Sequence, residues 1–225
     1  MLFRSFGLRR RGDPDVARRV NEALEMVQLA ARADRKPAQM SGGEKQRAAL
    51  ARSLVLAPDL LLLDEPLSAL DPNLREQVRV ELKALQRRVG ITFLMVTHDQ
   101  EEALSMADRI TLLNQGRVEQ VGTPEQIYLT PANRFTAGFL GPVNWLDQIG
   151  IRPEATRLAL TAPAQATHPA RVLHSTFLGD CDHVRVELAG GQQLLAHVPH
   201  SGARFQAGDQ VHVWWHPADE LHLAQ

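Results

Sequence analysis

Two short apolar runs limit what this chain can fold into: LLLL at 60–63, closed by Asp64-Glu65-Pro66, and ITFLMV at 91–96, closed by Thr97-His98-Asp99. Neither alternates apolar with polar residues, as a strand with one wet face does, and both are short for helices. They read as strands buried on both faces, the habit of parallel sheets covered by helices. Between them NLREQVRVELKALQRR at 73–88 is helical and is closed by Gly90. Buried strands alternating with amphipathic helices indicate an α/β layer architecture.

The flanking segments extend the pattern. DVARRVNEALEMVQL at 15–29 places Val16, Val20, Ala23, Leu24 and Val27 at helical spacing. A second helix runs from the glycines at 42 and 43 to about Val55 and stops near Ala57-Pro58. DQEEALSMA starts a helix with acids in its first turn. ITLL at 110–113 and Val118 to Val121 are two more short strands, joined by the turn Asn114-Gln115-Gly116. Past Gly141-Pro142 the character changes to short alternating strands, ARVLHSTFLG, HVRVELAGG, QQLLAHVPH and DQVHVWWHP, separated by turn signals such as Gly190-Gly191 and Gly208-Asp209. They predict a small β-barrel of the five-stranded Greek-key type. The expected division is an α/β domain over 1–141, a linker over 142–169 that includes TAPAQATHPA, and a β-domain over 170–225.

With 225 residues the chain supports one or two domains, and 44% hydrophobic with 23% charged residues is ordinary for a globular protein. A net charge of -1 gives no electrostatic case for nucleic-acid binding. The basic cluster Arg9, Arg10, Arg11 reads as a solvated turn. Cys181 is the only cysteine, so no intrachain disulfide forms, which fits a reducing compartment. No apolar stretch approaches the roughly 20 residues that cross a bilayer, so membrane association is expected to come through a partner. His174, His183, His197, His200, His212, His216 and His222 are scattered without tight ligand spacing and fit barrel-wall side chains better than a metal site. Of the adjacent Trp214 and Trp215, one is expected in the core and the other toward a neighbouring subunit.

The chemistry concentrates in three places. MSGGEKQR at 40–47 sets a serine and two glycines at the start of a helix, where unpaired backbone amides and the helix dipole receive an anion, and the Ser41 hydroxyl adds a donor. Asp64 and Glu65 sit together at a strand's C-terminal end, where α/β sheets place their ligands. One acid there can hold Mg²⁺ and the other can orient an attacking water for phosphoryl transfer. His98 ends the neighbouring strand and can reach a γ-phosphate. A phosphate-binding loop of the form G-x-x-x-x-G-K-[ST] is not in this sequence; Gly-Lys does not occur in it.

In order, MSGGEKQR, LLLLDEP, SALD at 68–71 and VTHDQEEA at 96–103 resemble the signature motif, Walker B segment, D-loop and H-loop of ATP-binding-cassette ATPases. The resemblance runs from about Phe6 to Gly141, and the β-rich tail looks like the TOBE domain of importer ATPases of the polyamine, iron(III), sulfate and sugar types. ELKALQRRVGITFLMVTHDQEEALSMADRI followed by GRVEQVGTPEQIY reads closest to the spermidine/putrescine branch. The resemblance implies a partial P-loop NTPase domain with a parallel sheet, followed by an OB-like barrel. It also implies ATP and Mg²⁺ as cofactors and a head-to-tail pair of ATPase subunits. Transmembrane permease subunits at the cytoplasmic face of the membrane would complete the assembly, with a solute-binding protein as an indirect partner and no nucleic acid. By the same resemblance Ser41, Gly42, Gly43 and Glu44 lie at the γ-phosphate of the partner's ATP, Asp64 binds Mg²⁺, Glu65 is the general base, His98 touches the γ-phosphate, and Asp71 communicates across the dimer.

The departures from the family pattern carry their own expectations. Met40 stands where the family usually has leucine, a volume-conserving change, and Glu44 stands for glutamine, adding a negative charge near phosphate unless Lys45, Arg47 or another base offsets it. MLFRSFGLRRRG resembles the stretch just after the family's Q-loop, so the Walker A loop, the adenine-stacking aromatic and the Q-loop glutamine are not represented. The expected consequences are little independent ATP hydrolysis and apolar surface left bare on the sheet. Three readings follow: an importer ATPase subunit with an upstream Walker A segment, a non-catalytic partner that lends its signature motif to an intact ATPase, or a chain with no stable fold.

Overall fold

The computed structural model describes residues 2–223 apart from Ala69, Gln165 and Ser201; the side chains of residues 2–5 and of His222 lie outside the described set. Ala69 of the SALD stretch, Gln165 of the expected linker and the imidazole of His222 are therefore outside it. Two compact units form, Met1–Met106 and Ala107–Gln225.

The first unit contains α1 (Leu2–Arg10), α2 (Val16–Met26), α3 (Gly42–Leu54), β1 (Leu60–Asp64), α4 (Pro72–Val89), β2 (Thr92–Val96) and α5 (Gln100–Met106). Val20, Ala23 and Leu24 of α2, Leu50, Ala51 and Leu54 of α3, and Val78, Leu82 and Leu85 of α4 recur at helical spacing and share one core with Leu61. Gly90, in the left-handed region at φ 65°, ends α4 with its amide on the Gln86 carbonyl. The strands β1 and β2 pair in parallel, from Leu60 opposite Thr92 to Asp64 opposite Val96.

Only one face of this pair is covered, against the expectation of strands buried on both. Leu61, Leu63, Phe93 and Met95 point into the helical core. The intervening Leu60, Leu62, Leu94 and Val96 point the other way and are exposed, Leu62 by 66%. The continuous apolar runs fit a two-sided strand, but no described element of this unit packs on the second face. Apolar surface is thus left bare on this sheet, as expected from the sequence. The basic cluster also differs from its expectation: Arg9 and Arg10 form the last turn of α1 rather than a turn between elements, a place where cations suit the helix dipole.

The second unit opens with a hairpin of β3 (Ile110–Asn114) and β4 (Arg117–Gly122), whose two turn residues Gln115 and Gly116 both have positive φ, 49° and 76°. Such turns match the twist of the strands they join. After α6 (Pro124–Leu129) and α7 (Arg134–Phe139) come β5 (Asn144–Leu146), β6 (Ile149–Ile151), β7 (Arg157–Ala159), β8 (His168–Phe177), β9 (Cys181–Leu188), β10 (Gln193–Pro199), β11 (Gln210–Trp214) and β12 (Glu220–His222). An antiparallel sheet in the order β10-β9-β8-β11-β7 curls until its outer strands approach each other, around Val172, Val184, Val186, Leu194, Val211 and Val213. A three-stranded sheet, β12-β6-β5, completes the unit.

Two boundaries differ from the sequence reading. Residues 142–169 are not a linker, since β5, β6 and β7 lie within them; each is three residues long, too short to show a period. The division falls at Met106 rather than Gly141, because β3 and β4 pair only with each other among the described strands and share no ladder with β1 and β2.

Most histidines of this unit stand along its strands, whereas His200 follows β10 and His216 precedes the short turn at Pro217–Asp219. His183 and His197 are cross-strand partners whose rings stack at 3.9 Å, and His168 stacks on Trp215 at 5.0 Å. Trp215 packs against the core, whereas Trp214 lies under the Arg157 guanidinium at 5.3 Å.

Arg152 organises the turn region of the second unit. Only 3% exposed, it donates to the carbonyls of Ala137 at 2.9 Å, Gly141 at 3.0 Å and Tyr128 at 3.2 Å, and lies 4.1 Å from the centre of the Tyr128 ring. The Tyr128 hydroxyl donates to Glu154 at 2.5 Å. Burial and that carboxylate push the phenol up to about 12.

All three tryptophans, Trp145, Trp214 and Trp215, belong to the second unit, so their fluorescence reports on it alone. Arg152→Met strands several buried carbonyls and is expected to destabilise this unit by about 3–5 kcal/mol in fluorescence-monitored urea unfolding. Burial, then the stacked His183, holds His197 below its ordinary value of 6.5, with Glu154 and Asp180 opposing. The unfolded chain therefore binds the proton more readily: the stability is full above about pH 6.5 and declines as pH falls from there toward the folded value. The fluorescence-detected melting temperature should drop across that window, and His197→Leu should flatten the drop.

Candidate functional site

The site is built in the first unit from the start of α3 and the C-terminal ends of β1 and β2. Ser41 is the N-cap of α3 in extended conformation, its hydroxyl accepting from the Glu44 amide at 3.3 Å. Glu44 answers: its Oε2 accepts from the Ser41 amide at 2.9 Å. This reciprocal capping box was legible as Ser-x-x-Glu before an apolar run. It corrects the reading of Glu44 as a phosphate contact, because the carboxylate is turned inward, 4% exposed, and also pairs with Arg32 and with Arg35, the latter at 3.5 Å. Those arginines, not Lys45 or Arg47, offset its charge; Arg47 instead binds Glu81 at 2.5 Å.

The box also uses two amides that the sequence reading assigned to an anion. The Gly42 and Gly43 amides, in the first turn, keep no partner within the helix, and the Ser41 hydroxyl still has its proton to donate. An added Cβ on Gly43 would stand 3.2 Å from Leu74 and one on Gly42 3.6 Å from Leu70, so this turn packs closely on the start of α4. Asp71 caps α4, accepting from the Leu74 amide at 3.0 Å.

At the strand ends the chain leaves the sheet through a residue with φ of +41°, Glu65. A left-handed glutamate is uncommon and marks a site held against strain. Its amide donates to the Val96 carbonyl at 2.8 Å, its own carbonyl accepts from the Ser68 hydroxyl at 2.9 Å, and the next carbonyl, of Pro66, accepts from the Gln46 side chain of α3. The turn brings the Glu65 carboxylate to His98 Nδ1 at 2.9 Å. Both side chains are open to solvent, His98 by 73%, and Asp64 is exposed beside them. Asp64, Glu65 and His98 thus stand together, while Ser41, Gly42, Gly43 and Asp71 form a second group where α3 meets α4. Asp64 is one exposed carboxylate on a strand end, which suits a Mg²⁺ ion bound through one or two carboxylates and substrate phosphates.

The sequence reading missed the residues that support these groups. Thr97 donates its hydroxyl to the buried Glu102 at 2.7 Å and accepts from the Asp99 amide at 3.0 Å; Asp99 Oδ1 accepts from the Glu102 amide at 3.1 Å. Asp99 Oδ2 accepts from Arg75 at 3.1 Å. Thr-x-Asp-x-x-Glu at a helix start is a capping pattern and could have been read as one.

Comparison with known proteins is consistent with both units. A family model described as ABC transporter matches residues 3–68, and one described as TOBE domain matches residues 149–223. A spermidine/putrescine import ATP-binding protein of Pseudomonas aeruginosa is 42% identical over a 247-residue alignment, covering 91% of this chain and 66% of that protein. Its counterpart in Thermobifida fusca is 48% identical over 197 residues, 87% of this chain and 44% of that protein. A sulfate/thiosulfate import ATP-binding protein of Chromobacterium violaceum is 58% identical over 137 residues, 61% of this chain and 37% of that protein. Among solved structures cbiO1 of Clostridium perfringens, described as part of the ABC transporter complex cbiONQ, matches with a TM-score of 0.52 and 32% identity over 55% of this chain and 50% of that one. The chain therefore spans less than two thirds of the length of these relatives.

Ser41→Ala removes one half of the capping box and is expected to weaken α3 by about 0.5–2 kcal/mol. Hydrogen exchange should show it as faster exchange of the amides of Glu44 and its neighbours, with β8 and β9 unchanged.

Proposed function

We propose that this chain, which belongs to the ATP-binding-cassette ATPases and carries their TOBE domain, serves in the ATP-binding subunit of an importer and couples ATP hydrolysis to solute uptake. The observation that carries the reading is the Glu65 carboxylate held on His98 beside Asp64, at the ends of two parallel strands. In that arrangement Glu65 accepts the proton of the attacking water, and His98 orients the carboxylate while reaching toward the γ-phosphate. Asp64 holds Mg²⁺, which when bound neutralises charge on the phosphates. The Ser41 hydroxyl and the amides of Gly42 and Gly43 serve a nucleotide held mainly by the partner subunit, and Asp71 lies at the interface with it. The bare face of Leu60, Leu62, Leu94 and Val96 is where a Walker A strand with its helix would pack, supplied by the same polypeptide or by another.

The assembly this implies is a pair of ATPase subunits on permease subunits at the cytoplasmic side of the membrane, fed by a solute-binding protein. Among the described residues no helix is long and apolar enough to cross a membrane. A polyamine is the proposed cargo, because the P. aeruginosa and T. fusca relatives are spermidine/putrescine import ATP-binding proteins. A second reading is a non-catalytic partner that lends its signature motif to an intact ATPase; the exposure of Ser41 and Gly42 at the surface is compatible with both.

The test is ATP turnover in the complex purified from native cells through a tag on this chain. Glu65→Gln, which keeps the shape and removes the base, should lower turnover by at least about a hundredfold. Unchanged turnover in that variant would favour the non-catalytic reading. Intact mass decides the source of the Walker A segment: a species heavier than 25.0 kDa with a Gly-Lys loop in its peptides means one polypeptide.

A further inference from the structure

Arg75 occupies the first turn of α4, where the helix dipole disfavours a cation, and its Nε is buried without a partner. Local propensity therefore gives no reason for an arginine there. Its two terminal nitrogens make specific contacts instead: one donates to Asp99 Oδ2 at 3.1 Å, the other to the Leu70 carbonyl at 3.2 Å. Leu70 precedes Asp71, the cap of α4, and its side chain lies against the Gly42 position. Asp99 follows His98 and caps α5 with its other oxygen. The pair is partly buried, with 31% of the Arg75 side chain and 23% of the Asp99 side chain exposed, so water screens it less than a surface bridge.

We propose that Arg75 is a positioning residue that ties the loop ending at Asp71 to the loop carrying His98, fixing the group at α3 and α4 relative to the group at the strand ends. This rests on the ATPase reading above. The backbone around His98 is held by Thr97 and Glu102 on the strand side and by Arg75, through Asp99, on the α4 side. Thr97, Glu102 and the capping oxygen of Asp99 keep α5 in place without Arg75; what Arg75 adds is the link to the Leu70 carbonyl. A lysine there has one terminal nitrogen and serves as a single charged donor to Asp99.

The experiment compares Arg75→Met, which keeps the apolar stem, with Arg75→Lys and Asp99→Asn in the complex purified through this chain. In Arg75→Met, kcat for ATP is expected to fall about tenfold with KM within about twofold, and the melting temperature of the complex to stay within a few degrees. Arg75→Lys, which keeps a charge for Asp99 but not the second link to the Leu70 carbonyl, should recover only a small part of the rate, and Asp99→Asn combined with Arg75→Met should cost little beyond Arg75→Met alone. Wild-type kcat in Arg75→Met would overturn the proposal, as would a loss that follows unfolding of the complex or one that lysine restores in full. Glu65→Gln is run in parallel. Turnover that survives Glu65→Gln sinks the ATPase reading and the positioning role with it, whereas turnover that needs Glu65 but ignores Arg75 sinks the positioning role alone.

Discussion

A single hydrogen bond, from the Glu65 amide to the Val96 carbonyl, closes the parallel ladder of β1 and β2 at its last pair, Asp64 opposite Val96, and the turn that builds the site starts from it. At this residue the chain enters the left-handed region, a conformation that costs on the order of 1–3 kcal/mol for a residue with a side chain. With it, the strand stops, Pro66 and Leu67 turn away, and the Glu65 carboxylate comes to rest on the histidine that ends the adjacent strand. The turn is held from two further directions, by Ser68 within its own loop and by Gln46 from α3. The geometry at the acid is thus a property of the sheet register, the loop and the signature helix together.

The charges around α3 show how a local rule and a tertiary one combine. A glutamate in the first turn of a helix is favoured by the dipole, and as the far half of a capping box it is favoured again. Its cost would be a carboxylate beside an anion site. Arg32 and Arg35, nine to twelve residues upstream, remove that cost by enclosing the carboxylate on the inner side of the helix. The buried glutamate is thus compensated at this position. The donors left for a phosphate are the Ser41 hydroxyl and two glycine amides, fewer than an uncapped helix start presents.

Much of this was legible because it is local. The spacing of Val20, Ala23 and Leu24, the Gly90 stop, the two apolar strands and the order of the four motifs each follow from a few neighbouring residues, and each strand and helix they indicate is present. The unread parts depend on pairing at a distance. Strands of three residues such as β5, β6 and β7 carry no period of their own; Arg152, Asn144 and the ladder around Gly150 hold the first two, and β7 is held by its ladder with β11. Arg75 in isolation is one more cation on a charged helix; its meaning comes from Asp99, twenty-four residues on. The two-sided burial expected of LLLL and ITFLMV failed for the same reason, since composition shows what a strand can face and not what is there to face it.

That failure has an energetic consequence for the site. Leu60, Leu62, Leu94 and Val96 are exposed on the same strands whose ends carry Asp64, Glu65 and His98. Burying a side chain of this size is worth roughly 1.5–3 kcal/mol, so a layer packed over four of them adds a sum comparable to the whole stability of a small domain. The second unit has no such debt: its curled sheet closes around its own valines, and Arg152 satisfies the carbonyls of its turns. Order at the strand ends is therefore coupled to whatever covers the bare face. Under the proposed ATPase function, a covering layer that also carried phosphate donors would couple the ordering of the site to the binding of nucleotide.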